Sequence, residues 1–405
     1  MDSRDLYLIR IVIALGLTMI VGWGTVFYAF GVLAPKIALD TGMPRGFLYG
    51  CFSLALLASG LVAPASGRLL DRRGGRAVMT GGSALAALGC LLVAWSPNMV
   101  VYALAWIVMG LAIPLMLYDS AFAAITRAAG SKGARKLIVQ ITLFGGLAST
   151  IFWPLTHMLD ANLGWRATWL VYAAANLAVC APLHYLLLPS SRHTEAIEQQ
   201  VAPGPLAEDA PMVGAAGRKL AFLLLATVFA ANNFMLSGLS AHMIPLLNSL
   251  GLTETDAVWL GALIGPAQVA GRLCELAFGR LFSPLAFGVG ATGMLIAAFG
   301  LLGLFGVTGF AGVAFACVYG AANGVITIAR GTLPLELFGR SGYGAILGRL
   351  ARPGLAAAAL APFAYALLID AWGANAGLHI SLIGAVISFL AMLGIAFRFG
   401  ARKAG

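Results

Sequence analysis

The stretch GRLLDRRGGR, residues 67–76, puts four arginines and one aspartate into ten residues of a chain that is only 10% charged. Long apolar runs flank it on both sides, so it reads as a short polar loop between two hydrophobic segments. The surrounding composition says what those segments are. Sixty per cent of the 405 residues are hydrophobic, 51 are glycine, and the mean hydropathy is +0.93. A soluble domain cannot hide that much apolar surface from water. Runs of roughly 20 apolar residues, enough to cross a ~30 Å hydrocarbon core, recur along the whole chain. The expectation is an all-α polytopic membrane protein whose lipid bilayer is its main partner.

Apolar runs between polar breaks predict twelve helices, near 7–34, 46–66, 77–95, 98–125, 137–159, 165–188, 220–247, 257–282, 285–306, 309–329, 344–369 and 375–397. The first run is too long for a cleavable signal peptide and shows no clear cleavage site, so it is expected to remain as a span. Residues 189–219, rich in Pro, Ala and acids, read as a flexible cytoplasmic linker. The organisation expected is a six-helix half over 1–188, the linker, and a second six-helix half over 220–405.

The net charge of +10 does not signal nucleic acid, because the basic residues sit in short loops rather than on one folded polar face. With the N-terminus inside, the outer loops hold only Lys36, Arg45 and Arg166, and Arg272 falls within a span. The remaining 21 of 25 basic residues lie on or near the inner side, with Arg330 at the margin. That imbalance places both termini in the cytoplasm of a bacterial-type inner membrane. Cys51, Cys90, Cys180, Cys274 and Cys317 lie in or beside apolar runs without CxxC spacing. They read as small buried hydrophobes, and neither a metal nor a cofactor is expected. Gly261/Gly265 and Gly320/Gly324 have small-xxx-small spacing, read as ordinary packing. Pro114, Pro154, Pro245, Pro266 and Pro362 are positioned to kink spans, whether the bundle moves or not.

In the opening stretch, the pattern Gly67, Asp71, Arg72, Gly74, Arg76 resembles the signature loop of the major facilitator superfamily. That resemblance implies the major facilitator fold, with two pseudo-symmetric six-helix halves. It also implies a conformational latch in which the aspartate meets a helix N-terminus and the arginines find acidic or carbonyl partners. The physics agrees, since a carboxylate favours a helix N-terminus and glycine allows a tight turn. A second copy is expected in the second half. Matching GRLLDRRGGR to GRLCELAFGR (271–280) leaves span eight too short to cross. Matching it to GRLFSP (279–284) is preferred, and it puts Arg272 inside the membrane, roughly two turns from the cytoplasmic end.

Arg272, Glu275 and Asp119 are the ionisable groups that need explaining, because a charge inside a span costs several kcal/mol unless it meets a partner or a wet cavity (about 3 on insertion scales). Arg272 and Glu275, three residues apart, either neutralise each other or serve separate ends, the arginine gripping a substrate carboxylate with its planar fork. The runs VGWGTVFYAFGVL (21–33) and SLALLASGLVAPASGRLLDR (53–72), with the span-eight arginine, resemble the monocarboxylate and oxalate–formate branch of the superfamily. The resemblance implies that Arg272 binds an anionic substrate and that Tyr28 helps close the site. Gln268 stands where animal monocarboxylate carriers have an acid, and GLAAAALAPFAYALL (354–368) lacks the second cation of an oxalate carrier. A singly charged substrate is therefore expected.

His242 and Asn233 in span seven, Asn323 in span ten and Trp153 in span five are further candidates for the substrate site. Each of the histidines, His242 and His157, is either a packing residue or a proton carrier. Asp119 either carries a proton or caps a helix, and Glu275 exchanges protons if burial and Arg272 tune it. No GxSxG, HExxH or paired catalytic carboxylate is visible, which argues against an enzyme. A channel would need rings of polar groups along a pore. A receptor that binds without moving its ligand stays open on sequence. The expectation is a transporter of a small organic anion, proton-coupled or exchanging, with an exporter of amphiphilic compounds as the alternative. Its halves would rock about a central site, and one chain is expected to suffice.

Overall fold

The computed structural model describes residues 3–188, 213–278, 281–339 and 343–400, and these form helices and short turns only. Span one comprises Ser3–Trp23, a π-helical turn Gly24–Tyr28, and Ala29–Thr41. Spans two and three are one helical run, Arg45–Trp95, broken at Gly74. Span four is Met99–Met116, interrupted at Leu117, and Tyr118–Gly146 leads from it into span five. Ala148–Ala175 turns at Gly164 into span six, which continues through a π-helical turn Asn176–Cys180 and Ala181–Leu187. The other six spans are Arg218–Ser249, Glu254–Ala262 with Ile264–Phe278, Pro284–Phe305, Gly309–Phe338, Tyr343–Trp372 and Ala374–Phe399.

Among the described residues, eleven helical stretches are long and apolar enough to cross a membrane. One of them, Leu137–Leu187, has 51 residues. At 1.5 Å per residue a straight helix of that length would reach about 77 Å, more than twice a hydrocarbon core. Gly164, at φ 78° and ψ 164°, folds it into two antiparallel spans, and the count becomes twelve. Only a residue without Cβ enters that backbone conformation at little cost. Several helices outrun their apolar cores. Span one extends seven residues past position 34 to Thr41, and span ten reaches Phe338 rather than 329. Local signals set several starts: the Asn98 side chain accepts from the amides of Val100 and Val101, and Ser283 accepts from Ala286 ahead of Pro284. In span eight, Pro266 has no amide hydrogen for the carbonyl of Ala262, and the helix is interrupted at Leu263.

The helices gather into two compact units, Met1–Gly204 and Pro205–Gly405. Within each, the same architecture recurs at a nearly fixed interval. Gly42 and Gly251, both at positive φ, lie 209 residues apart, as do Gly164 and Gly373. Thr156 and Tyr172 join spans five and six through a 2.6 Å hydroxyl contact. Tyr365 and Ser381 join spans eleven and twelve at 2.7 Å, again 209 residues on, with the roles exchanged. Spans two and four touch where a Cβ on Gly110 would meet the Ala55 carbonyl oxygen at 2.3 Å. Spans eight and ten touch where a Cβ on Gly320 would meet the Ile264 oxygen at 2.5 Å. Ala55 and Ile264 are also 209 apart. The expected match of GRLLDR to GRLFSP implies an interval of 212, so it misses the structural register by three residues. Span eight does run on to Phe278, beyond the early end near 270 that the rejected match required.

Two further expectations change. Most of segment 189–219 lies outside the described residues, but its end is not loose. Val213 is fully buried, its amide donates to the Leu337 carbonyl at 3.0 Å, and span seven already begins at Arg218. The apolar Val213 side chain joins a cluster with Ala221, Leu225, Leu337 and Phe399, which is why a polar-looking segment ends packed. Of the cysteines, Cys51, Cys90 and Cys180 are buried whereas Cys274 and Cys317 are exposed. A thiol behaves as a small hydrophobe, so an outward position in an apolar helix suits it as well as a core does.

Candidate functional site

Arg272 lies on span eight with its side chain buried, only 5% exposed, in the second unit. Its Nη2 donates to Gln268 Oε1 one turn earlier at 3.4 Å, and Gln268 is itself buried. Glu275 follows on the next turn, half-buried. The helix carrying them is held at backbone range against span ten. A Cβ on Gly324 would lie 2.2 Å from the Gln268 carbonyl oxygen, and one on Gly271 would lie 2.4 Å from that of Ala321. Gly320 and Gly324 let the two backbones meet at Ile264 and at Gln268, where the Gln268–Arg272 turn begins. Asn323, next to Gly324, is buried, and its Nδ2 donates to the Tyr319 carbonyl at 2.9 Å.

His242 and Asn233 belong to a different contact of the same unit. Along spans seven and eleven run three polar meetings. The Asn233 amide sits against Gly354, whose added Cβ would come within 2.3 Å of Nδ2. Ser237 donates to the Ala358 carbonyl at 2.7 Å, and His242 Nε2 meets the Pro362 carbonyl at 2.8 Å. The His242 ring also stacks on Tyr365. Pro362 has no amide hydrogen to donate to the Ala358 carbonyl one turn earlier, and the Ser237 hydroxyl donates there instead.

The first unit supplies aromatic and hydroxyl groups. Tyr28 ends the π-helical turn of span one, and its ring meets that of Trp153 edge-on with centroids 5.3 Å apart. Trp153 is buried; His157, one turn later, is half-buried. Gly24 opens the π turn because Phe152 occupies the place of its side chain: a Cβ there would lie 2.0 Å from the Phe152 ring. Asp119 sits exposed in the first turn of Tyr118–Gly146, just after the Leu117 break. With Ser120 and Ala123 it lines a cavity of about 240 Å3, closed on the other side by Ala63, Ser66, Gly67 and Leu70. The structure thus brings the Gly67 end of the signature stretch and Asp119 together.

The rest of that stretch is built around Gly74, which turns the chain at φ 77°. Arg76 is half-buried, its Nε donates to the Leu188 carbonyl at 2.9 Å, and its guanidinium faces the Tyr185 ring. A cation at the end of span six meets the negative end of that helix, the carbonyl partner expected of these arginines. Arg72 is exposed, and the side chain of Asp71 lies outside the described residues. Gly67 is helical with nothing within 4 Å of an added Cβ, so it makes no tight turn. It borders a cavity instead.

Sequence reasoning missed His184. It is fully buried in span six, with Nδ1 against Ser83 and Nε2 against Thr18, both at 2.9 Å, tying spans six, three and one. It also missed Asn176, whose amide reaches Thr25 on span one at 3.0 Å. The only available signal was a polar residue recurring in an otherwise apolar span.

A family model described as Major Facilitator Superfamily matches residues 11–351. No curated protein matches the chain. Among solved structures, the one titled "Crystal structure of D-xylose-proton symporter" aligns over 97% of this chain and 98% of that chain, with a TM-score of 0.72. Sequence identity over that alignment is 15%, so the likeness is one of fold.

Proposed function

This chain belongs to the Major Facilitator Superfamily, and we propose that it is a secondary active transporter of a small organic anion with one negative charge, a monocarboxylate. Integral membrane transport follows from the family. The anion, the coupling and the direction of the termini are our reading. A single observation carries it: a guanidinium buried in a membrane span, with the neutral Gln268 among its partners. A long contact to a neutral amide oxygen is weaker than a charge-assisted bond to a carboxylate, and an arginine fork accepts a carboxylate through two parallel bonds. An arriving anion would displace Gln268 and offset the cost of holding the charge away from water.

In this reading Arg272 binds the carboxylate and Gln268 holds the fork when no substrate is present. Asn323, Asn233 and His242 supply further polar contacts from the second unit. Tyr28 is the aromatic group that the first unit offers to substrate, with the buried Trp153 ring behind it. A proton travels with the anion, so that little net charge crosses, with Glu275, Asp119 and His157 as the carboxyl and imidazole groups able to take it. Gly67, Asp71, Arg72, Gly74 and Arg76 form the latch of the alternating-access cycle. The excess of arginine and lysine in one set of loops supports cytoplasmic termini in an inner membrane, and a single chain is the working unit.

The test is uptake of labelled L-lactate, formate and acetate into proteoliposomes, with and without an inward proton gradient. Wild type should concentrate at least one of them under the gradient. Arg272→Ala should lose at least 100-fold in uptake and Arg272→Lys at least tenfold, because a lysine offers no fork. If wild type moves no carboxylate, or Arg272→Ala transports like wild type, the anion reading is wrong.

A further inference from the structure

Two π-helical turns in the first unit face each other. In a π turn each amide reaches one residue further back, as Ala29 N–H does to Gly24 O and Ala181 N–H does to Asn176 O. At each turn a side chain adds a hydrogen bond to a carbonyl one turn earlier, the Tyr172 carbonyl also accepting the backbone amide of Asn176. The Thr25 hydroxyl donates to the Val21 carbonyl at 2.9 Å, and the Asn176 amide donates to the Tyr172 carbonyl at 2.9 Å. The second Asn176 hydrogen goes to Thr25 Oγ1 at 3.0 Å, so one bond joins the two turns. Both residues are fully buried.

A second bond runs beside it, from His184 Nε2 to Thr18 at 2.9 Å. On span one the two contact residues, Thr18 and Thr25, are seven apart and share a face. On span six, His184 and Asn176 are eight apart, and in a plain α-helix they would point roughly 80° away from one another. The π turn Asn176–Cys180 inserts the extra residue between them and restores a common face. The bulge in span six is therefore what allows both bonds to reach span one.

The bond ends on the turn that carries Tyr28. Thr25 is the second residue of Gly24–Tyr28, and Tyr28 is the last. The partner ring, Trp153, precedes Thr156 by three residues on span five, and Thr156 is tied to Tyr172 on span six at 2.6 Å. Spans one, five and six thus form a closed circuit: Thr25 to Asn176, back one turn to Tyr172, across to Thr156, and up to Trp153 against Tyr28. One atom is left over. Asn176 Oδ1 is buried with no hydrogen-bond partner among the described residues. An apolar residue would avoid that loss, so the amide at this position is costly to bury and orients more than it stabilises.

We propose that Thr25 and Asn176 are positioning residues: through the paired π turns they seat the half-buried Tyr28 ring, which meets substrate, against the buried Trp153 ring. The geometric half stands on the contacts above; the substrate half rests on the reading of Tyr28 as substrate-facing. The experiment uses full-length protein in nanodiscs, labelled with 5-fluorotryptophan, the Trp153 resonance being assigned from its absence in Trp153→Phe. Thr25→Val and Asn176→Leu should each move or broaden that resonance, and the double variant should match the single ones, because the pair acts as one link. Thr25→Ser keeps the hydroxyl and should restore the wild-type signal.

In proteoliposomes, the same single variants should raise the half-saturation concentration for labelled L-lactate about fivefold and leave the maximal rate within twofold. An unmoved Trp153 resonance in both single variants overturns the proposal. A moved resonance with unchanged half-saturation reduces the pair to a structural link and overturns the positioning role. If wild type transports no lactate, the anion reading fails on its own, and the fluorine signal with its serine rescue still decides the geometry. Should a single variant not fold, the double variant, which removes both partners of the bond, and Asn176→Asp give the same readout.

Discussion

The two six-helix units repeat each other where the chain must turn and diverge where chemistry is possible. Gly42 and Gly164 have counterparts in Gly251 and Gly373, and the Thr156–Tyr172 link has one in Tyr365–Ser381. These are scaffold features. In the first unit the interior is tied by hydroxyls, an asparagine and a histidine around two π turns, whereas spans seven and twelve are unbroken α-helices. The second unit has polar ties of its own between spans seven and eleven, and its seam of spans eight and ten carries Arg272, for which the seam of spans two and four has no counterpart. The position 209 residues before Arg272 is Ala63, a small residue lining the cavity of Asp119. One unit places a guanidinium where the other keeps a space. A duplicated scaffold has thus become two different halves of one device.

The sharpest way to break this comparison is to add a single methyl at the seams. Gly110→Ala meets the Ala55 carbonyl at 2.3 Å and Gly324→Ala meets that of Gln268 at 2.2 Å, backbone against backbone with no side chain able to yield. Overpacking of this kind costs about 1–3 kcal/mol or more. Both variants should lose most of their folded yield on size-exclusion chromatography. What folds of Gly324→Ala should also bind substrate more weakly, because Gln268 and Arg272 move with the seam, while the surviving Gly110→Ala should keep wild-type half-saturation. Equal effects on half-saturation would remove the distinction between scaffold seam and site seam.

Next in size come the turn glycines. Gly164→Ala and Gly373→Ala each force a Cβ into a left-handed backbone, a strain of about 1–3 kcal/mol. Neither position has a neighbour within 4 Å, so the penalty is conformational alone. Melting temperatures in detergent should fall by the same amount in both. A fall in only one would show that the repeat is not equivalent at these turns. A smaller effect is expected of Tyr172→Phe and Tyr365→Phe, which each delete one buried hydroxyl contact, at about 0.5–1.5 kcal/mol.

Such contrasts also explain which parts of the molecule the sequence disclosed. Twelve spans were legible because crossing a bilayer demands long apolar runs, and the Gly164 turn falls in the polar break between the runs 137–159 and 165–188. Arg272 was legible because a lone cation in an apolar span is expensive wherever it points. The π turns were not, since an inserted residue leaves no compositional mark in GTVFY or NLAVC. His184 and Asn176 stayed hidden for a related reason: their meaning lies in Thr18, Ser83 and Thr25, over a hundred residues away. The repeat register failed at GRLFSP because similar letters at a loop end say less than the close contacts of Ala55 and Ile264. The packed end of the linker was obscured by its polar surroundings, although Val213 and Val228 share one cluster.

The smallest expected effect concerns a feature that only one unit has. Asp40, at the end of span one, accepts from Trp165 Nε1 at 3.1 Å and pairs with Arg166, whose guanidinium lies 4.1 Å from the Trp165 ring. The positions 209 residues on are Ser249 and Asn375, both uncharged. Both partners of the ion pair are about half exposed, so water and salt screen it and the net gain is small. Arg166→Gln removes the charge pair and leaves the Trp165 bond to hold Asp40. Its melting temperature should fall least of all these variants, and the difference from wild type should shrink further in 1 M salt. A fall as large as that of Gly164→Ala, undiminished by salt, would mean that this clasp is a structural tie rather than a screened surface pair, and that the first unit depends on a link for which the second has no counterpart.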